Sequence, residues 1–333
     1  MREFVRKIVH SLEAGRDVEL VSVLEASGST PRGAGALLAV FGEEPPAGTV
    51  GGGNVEYEAV RLARDLLETG ENAVRRFRFD QGEAAGLGMV CGGGVTLHFQ
   101  YLSAEDADSI ALFRALMTAA GENADTWLVR QFEEERVLAM GLANRMGMAD
   151  LEGAPEDLLQ NKAVFRDGWF SLPAVKAGRV YIFGGGHVSQ ALVPAIAAVG
   201  FRPVVYDDRP EFADPALFPQ ADAAICGSFE ELGHYISVTP DDYVVIMTRG
   251  HQADYEVLTQ TLRSGAKYLG CIGSRKKLAL CRERLLEAGF TAEEYGRVHA
   301  PIGLAIGAET PAEIAVSVAA ELIAVRAGLD ISL

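Results

Sequence analysis

Residues 180–209 open with Val180-Tyr181-Ile182-Phe183-Gly184-Gly185-Gly186-His187-Val188-Ser189 and close with Val204-Val205-Tyr206-Asp207-Asp208-Arg209. A short apolar, β-prone run is followed by a glycine turn, a helix-length stretch and a second apolar run tipped by an acid. That order predicts a strand–turn–helix–strand unit of the dinucleotide-binding type. Gly184 supplies the tight turn, Gly186 lets backbone come close to a phosphate, and Ser189 takes the third small position, where helix and strand touch. A helix starting after Gly186 aims unpaired N–H groups and the positive end of its dipole at an anion. His187 stands in the turn, and Asp207, 21 residues beyond Gly186, stands where a carboxylate reads a ribose, favouring NAD over NADP.

Working outward, apolar segments at Ala221–Cys226, Asp242–Thr248 and Lys267–Cys271 alternate with helical patterns at Phe229–Ile236, Tyr255–Ser264 and Lys276–Ala288. Such alternation predicts a doubly wound parallel sheet with crossover helices. The N-terminal half reads differently. Strands are expected at Asp17–Ala26, Ala36–Phe41, Val74–Phe79, Val95–Tyr101, Thr126–Arg130 and Val137–Leu142, with helices at Asn54–Glu68 and Glu105–Ala119. Glu43–Pro46 reads as a turn, Glu156–Leu159 as a helical turn and Ala163–Leu172 as a strand. The expected fold class is α/β: a mixed α+β domain over 1–174, then a Rossmann-like domain over 175–333.

The chain has 333 residues, 49% of them hydrophobic, and a formal net charge of −16. So acidic a surface argues against nucleic acid and against an anionic membrane face. No apolar run has the roughly 18–20 residues of a bilayer span. The basic start lacks a following apolar region and reads as an amphipathic helix with Phe4, Ile8 and Leu12 on one face. The four cysteines include no C-x-x-C pair and no zinc spacing, which points to the cytoplasm.

Further glycine-rich or charged stretches are candidate sites. Ser27–Gly35 joins two strands and offers Ser29, backbone N–H groups and the Arg32 guanidinium to an anionic ligand. Gly51-Gly52-Gly53-Asn54 opens a helix with more glycine than a cap needs; Asn54 is the expected N-cap. Cys91 stands beside Gly92-Gly93-Gly94, where neighbouring N–H groups would lower its pKa, and is the one thiol expected to react. Cys226, Cys271 and Cys281 lie in apolar runs and read as packing residues. Arg249 and His251, in Thr248-Arg249-Gly250-His251, follow a strand and lie at its carboxyl end. Ser274 is an expected N-cap, and Arg275-Lys276-Lys277 place three cations against a helix dipole, which calls for a bound anion. Thr310-Pro311-Ala312-Glu313 is a capping box that starts a last helix to about Arg326.

Together these segments resemble the xanthine dehydrogenase accessory protein (XdhC/CoxI) family. The resemblance rests on Gly28–Arg32, Gly51–Glu56, Cys91–Gly93, Gly184–Ser189, Tyr206–Arg209, Thr248–His251, Gly273–Arg275, Pro301–Leu304 and Thr310–Ala315. It implies a maturation factor, not a hydroxylase, that binds the molybdenum cofactor (molybdopterin). Such a factor aids sulfuration by a cysteine desulfurase and insertion into a xanthine-dehydrogenase-type molybdenum hydroxylase, and works as a homodimer. Cys91 would then be the thiol ligand to molybdenum or a sulfur relay. The residues named above, Ser29, Arg32, Gly52, Gly53, Asn54, Gly184, Gly186, His187, Asp207, Arg249, His251, Ser274 and Arg275, would hold the cofactor or an attached nucleotide. The family commonly has a cysteine where this chain has Asn54 and Asp where it has Ala305. The residues alone also leave open an NAD-dependent oxidoreductase or a nucleotide-sensing regulator.

Overall fold

The structure, a computed structural model, describes residues 1–28, 30–78, 93–122, 124–148 and 151–329. It divides into two compact units, Met1–Lys176 and Ala177–Leu333.

In the first unit, helix α1 (Arg2–Glu13) buries Val5, Ile8, Val9, Ser11 and Leu12, with Phe4 packed beside them. Strands β1 (Val18–Ser27), β2 (Leu37–Phe41), β3 (Glu44–Gly48), β4 (Ala73–Arg78) and β5 (Gly94–Leu102) form an antiparallel sheet in the order β3-β2-β1-β5-β4. Helix α2 (Gly53–Thr69) lays Val55, Ala59, Ala63 and Leu66 on Val21, Val23, Leu97 and Phe99 of that sheet. Glu43–Pro46, expected as a turn, lies largely in β3. Its prolines are tolerated because β3 is the edge strand, where a missing N–H leaves no ladder bond unmade. Helix α3 (Ala107–Ala119) packs Phe113 and Leu116 against α1 and β1.

A second antiparallel sheet of the same unit contains β6 (Thr126–Glu133), β7 (Arg136–Asn144), β8 (Gly147–Met148), β9 (Val164–Arg166) and β10 (Trp169–Val175), in the order β8-β7-β6-β10-β9. The strand expected over Ala163–Leu172 is therefore two strands; they turn at Asp167 and Gly168, both at positive φ.

In the second unit, β11 (Arg179–Phe183), β12 (Arg202–Asp207), β13 (Ala223–Cys226), β14 (Tyr243–Ile246), β15 (Tyr268–Cys271) and β16 (Val298–His299) make a parallel sheet in the order β13-β12-β11-β14-β15-β16. This is the doubly wound α/β arrangement expected, with its switch point at β11. Apolar clusters cover both faces, one with Leu192, Val193, Val318 and Leu322 and the other with Val257, Leu258, Leu278 and Leu285. The helices are α4 (His187–Ala198), α5 (His251–Thr261), α6 (Arg275–Glu287), the short α7 (Ala292–Gly296) and α8 (Pro311–Arg326).

Helix α8 starts on the expected capping box, in which Glu313 Oε2 accepts the Thr310 N–H and Thr310 Oγ1 accepts the Glu313 N–H. Its outer face shows Val316 and Ile323, 57% and 38% exposed. These fall in line with Ala312, Ala320 and Ala327, so the stripe carries no charge. Among the described residues no helix is long and apolar enough to cross a membrane.

Candidate functional site

In the first unit the β1–β2 loop, the Gly51–Gly53 turn and Gly94 lie at one end of the first sheet. The β1–β2 loop leaves β1 through Gly28 at φ +68, and Thr30 Oγ1 donates to the Arg32 carbonyl at 3.0 Å. Gly51, Gly52 and Gly53 run at φ +143, +72 and +59, a sequence of conformations that L side chains resist. A methyl group on Gly51 would lie 3.4 Å from Pro31 Cβ, so the two loops are already in contact. Gly94, where the chain enters β5, pairs with Ser27 at the end of β1. Arg32, Gly53 and Asn54 are exposed there, and the space beside Gly52 is open. Ser29 and Cys91 lie outside the described residues. A cavity of about 390 Å³, lined in part by Asn72, Gln100, Tyr101 and Met140, contains none of these motif residues.

Asn54 is not the N-cap. Gly52 holds that place without a side chain to cap, and Asn54 is the second residue of α2. The capping work falls to Glu56, a member of the glycine motif to which spacing alone assigned no role. Its Oε2 accepts the Val50 and Gly52 N–H groups at 3.2 and 3.1 Å and the Thr49 hydroxyl. Burial pushes the Glu56 carboxyl up, but the Thr49 hydroxyl and the N–H groups of Gly52, Val50 and Gly51 outweigh it and hold it below the ordinary value. Glu56 thus sets the shape of the glycine turn from inside.

In the second unit the motifs stand along the carboxyl edge of the parallel sheet and are linked in series. Gly184, at φ +107, turns the chain so tightly that a Cβ would lie 2.3 Å from the Met247 carbonyl oxygen. Ser189 is buried and its hydroxyl donates to the Gly184 carbonyl, the helix–strand contact expected of the third small position. Gly186 caps α4 beside open space, and His187 is exposed as the first helical residue. His251 holds the corresponding place on α5, after Gly250.

Asp207 departs from its expected part as an open ribose acceptor. It is 1% exposed. Its Oδ2 accepts the Gly185 N–H at 2.8 Å and Arg209 Nη2 at 3.0 Å; its Oδ1 accepts the Arg209 N–H at 3.0 Å and Arg209 Nε at 2.9 Å. Burial alone would raise this carboxyl; the Arg209 guanidinium and the two backbone N–H groups hold it below the ordinary value. The neighbouring Asp208 takes Arg249 in a two-bond fork, both contacts 2.8 Å, and so joins the tip of β12 to that of β14.

Beyond β14, the Thr248 hydroxyl donates to the buried Asp254 carboxylate, whose other oxygen lies 2.6 Å from Lys277 Nζ. One of the three cations at the start of α6 is therefore neutralised within the fold, while Arg275 and Lys276 remain exposed. Ser274 is the N-cap, accepting the Lys277 N–H. The Pro301–Gly303 loop is anchored by Glu321, which accepts the Gly303 N–H at 2.7 Å and the Tyr268 hydroxyl and lies 2.9 Å from His299 Nδ1. Cys271 and Cys281 are buried packing residues as expected, and burial pushes the Cys281 thiol up to about 11. Cys226, read as buried, is exposed, because β13 is the sheet edge. No group of three or more His, Cys, Asp or Glu among the described residues is placed to hold a metal ion.

The model of the XdhC Rossmann domain matches residues 180–322, and that of the XdhC and CoxI family matches residues 11–79. The chain belongs to the XdhC and CoxI family. Its relatives within and around that family include a protein of Bacillus subtilis (strain 168) named as a probable xanthine dehydrogenase subunit, 26% identical over 95% of each chain. The molybdenum cofactor insertion chaperone PaoD of Escherichia coli (strain K12) is 25% identical over 98% of this chain and 88% of its own. The uncharacterized protein YqeB of the same organism is 37% identical over 44% of this chain, a stretch that spans only 27% of YqeB. A solved structure described as a xanthine dehydrogenase from Bacillus halodurans shares the fold, with a TM-score of 0.81 and 22% identity over 98% of this chain and 96% of that one.

Proposed function

We propose that this XdhC/CoxI chain is a molybdenum-cofactor-binding maturation factor that passes its cargo to a xanthine-dehydrogenase-type molybdenum hydroxylase. The observation that carries the reading is the gathering of the glycine-rich turns at one end of the first sheet. They lie in a chain aligned along almost its whole length with a relative named as a molybdenum cofactor insertion chaperone. The open space beside Gly52 and the exposed Arg32 suit a bulky anionic cargo. The second unit, taken by itself, offers the exposed starts of α4 and α5 with His187, His251 and Arg249, which suit a phosphate group. Arg275, next to Ser274 at the start of α6, adds positive charge along the same edge. Cys91 is the proposed thiol for molybdenum or for the sulfur supplied by a cysteine desulfurase.

The factor would act in the cytoplasm as a homodimer. The uncharged stripe on α8 supports pairing of two copies, since permanent interfaces are the more apolar kind and a chain of charge −16 repels its copy elsewhere. A nicotinamide-dependent oxidoreductase drew its support from Asp207, whose acceptor positions are filled.

The test is the molybdenum and pterin content of protein purified anaerobically from its own host, beside Cys91→Ala. Molybdenum and pterin near one per chain, lost in the variant, are the expected result. Wild-type protein carrying bound NAD and no pterin would overturn the reading.

A further inference from the structure

We propose that Arg209 is a specificity-determining residue of the Rossmann crevice: by filling Asp207 it withholds the carboxylate that would read a ribose, so the crevice takes a phosphate-terminated ligand without a free ribose diol. The inference rests on the proposed reading of this crevice as a phosphate-binding site.

An ionised carboxylate has about four lone-pair positions to offer. Around Asp207 all four are taken, two on each oxygen: the Gly185 and Arg209 N–H groups and the Arg209 Nε and Nη2. A ribose diol needs two of those positions. They can be released only by breaking charge-assisted bonds inside a site that is 1% exposed.

The clamp is also held from outside. The Arg209 guanidinium carbon lies over the Phe212 ring, 3.7 Å from its centroid, and Arg209 Nε is 3.8 Å from Asp208. The Phe212 carbonyl oxygen sits 1.9 Å from where a Cβ on Gly185 would be, so the segment after β12 lies directly on the glycine turn. The phosphate side is more open. Gly186 has open space beside it, and Arg249 is 53% exposed and paired with the partly exposed Asp208. An incoming phosphate can exchange with Asp208 for Arg249 while the Asp207–Arg209 pair stays whole.

The test is titration of the full-length protein with NADH, followed by nicotinamide fluorescence, in wild type, Arg209→Ala, Arg209→Lys and the Arg209→Ala/Asp207→Asn double variant. Lysine keeps the charge but cannot form the fork, so it serves if alanine fails to fold. Wild type should show no saturation at millimolar NADH. The single variants should gain affinity by roughly tenfold or more, the scale of releasing one hydrogen-bonded charge. The double variant should lose that gain. Tight NADH binding by wild type, or single variants that fold and gain nothing, would overturn the proposal. The readout is independent of molybdenum and pterin content, so the maturation-factor reading and this one fail separately.

Discussion

Glu19 is fully buried in β1, and neither of its carboxylate oxygens has a hydrogen-bond partner among the described residues. Burial pushes its carboxyl from an ordinary 4.5 up to about 9. At neutral pH the folded chain therefore keeps this proton while the unfolded chain gives it up. Stability is full below pH 4.5 and falls as pH rises toward 9, where the folded carboxyl also ionises. Each pH unit in that window corresponds to about 1.4 kcal/mol. By about pH 7.5 the deficit relative to about pH 5 reaches about 3 kcal/mol.

Glu19→Gln keeps the shape and removes the titration. The amide brings its own unpaired donors, so the quantity to read is the change with pH and not the value at one pH. Both tryptophans, Trp127 and Trp169, are buried in the first unit, so their fluorescence reports that unit alone. Urea melts at about pH 5 and about pH 7.5 should show the variant gaining about 3 kcal/mol on the wild type across the interval. All other ionisable groups are common to both proteins and cancel. Parallel stability curves would mean that Glu19 binds its proton equally in both states, and the argument from burial would be wrong.

Glu56→Gln should lower the stability of the first unit by about 1–2 kcal/mol at neutral pH, because two backbone N–H groups and a hydroxyl lose a charged acceptor. Since the folded carboxyl lies below its ordinary value, the advantage of wild type is present above that value and should disappear as acid protonates it; the same tryptophan melts check both points. Gly185→Ala should destabilise the second unit by about 2 kcal/mol, with the new methyl group driven against the Phe212 carbonyl. Gly186→Ala, at φ −71 with open space beside it, should leave the calorimetric transition of that unit in place.

Most of the parallel sheet was legible because β11, β14 and β15 each read as an apolar run, then glycine, then a helix-length stretch, whereas the two-residue β16 carried no such signal. Where that grammar was weak the reading failed. The helix expected over Phe229–Ile236 is only a short turn at Leu232–His234, where Gly233 disfavours helix and the Leu232 N–H goes to the Gln260 side chain. Six of the first unit's strands were readable one by one, while β3 was read as a turn, β9 and β10 as one strand, and β8 was not read. Their division into two sheets was not readable, since pairing β1 with β5 joins residues about 75 apart, and no local signal encodes that choice. At the site, spacing located an acid at the tip of β12. It could not tell which donors would fill that acid, because Arg209 has to fold back on the strand it follows. Glu56 was visible in the Gly51–Glu56 motif, and a carboxylate four residues past a glycine N-cap was the signal that could have found it.

The two edges of the first sheet are both unfit to accept another strand. On β3, Pro45 and Pro46 offer no N–H. On β4, Arg75, Arg76 and Arg78 line the opposite edge, and Glu135 covers the Val74 N–H. A maturation factor of the kind proposed would meet incompletely assembled chains with unpaired strands of their own. With both edges blocked, this sheet is poorly suited to being extended by one of them, so contact with such a client would run through loops and side chains, where it can be released.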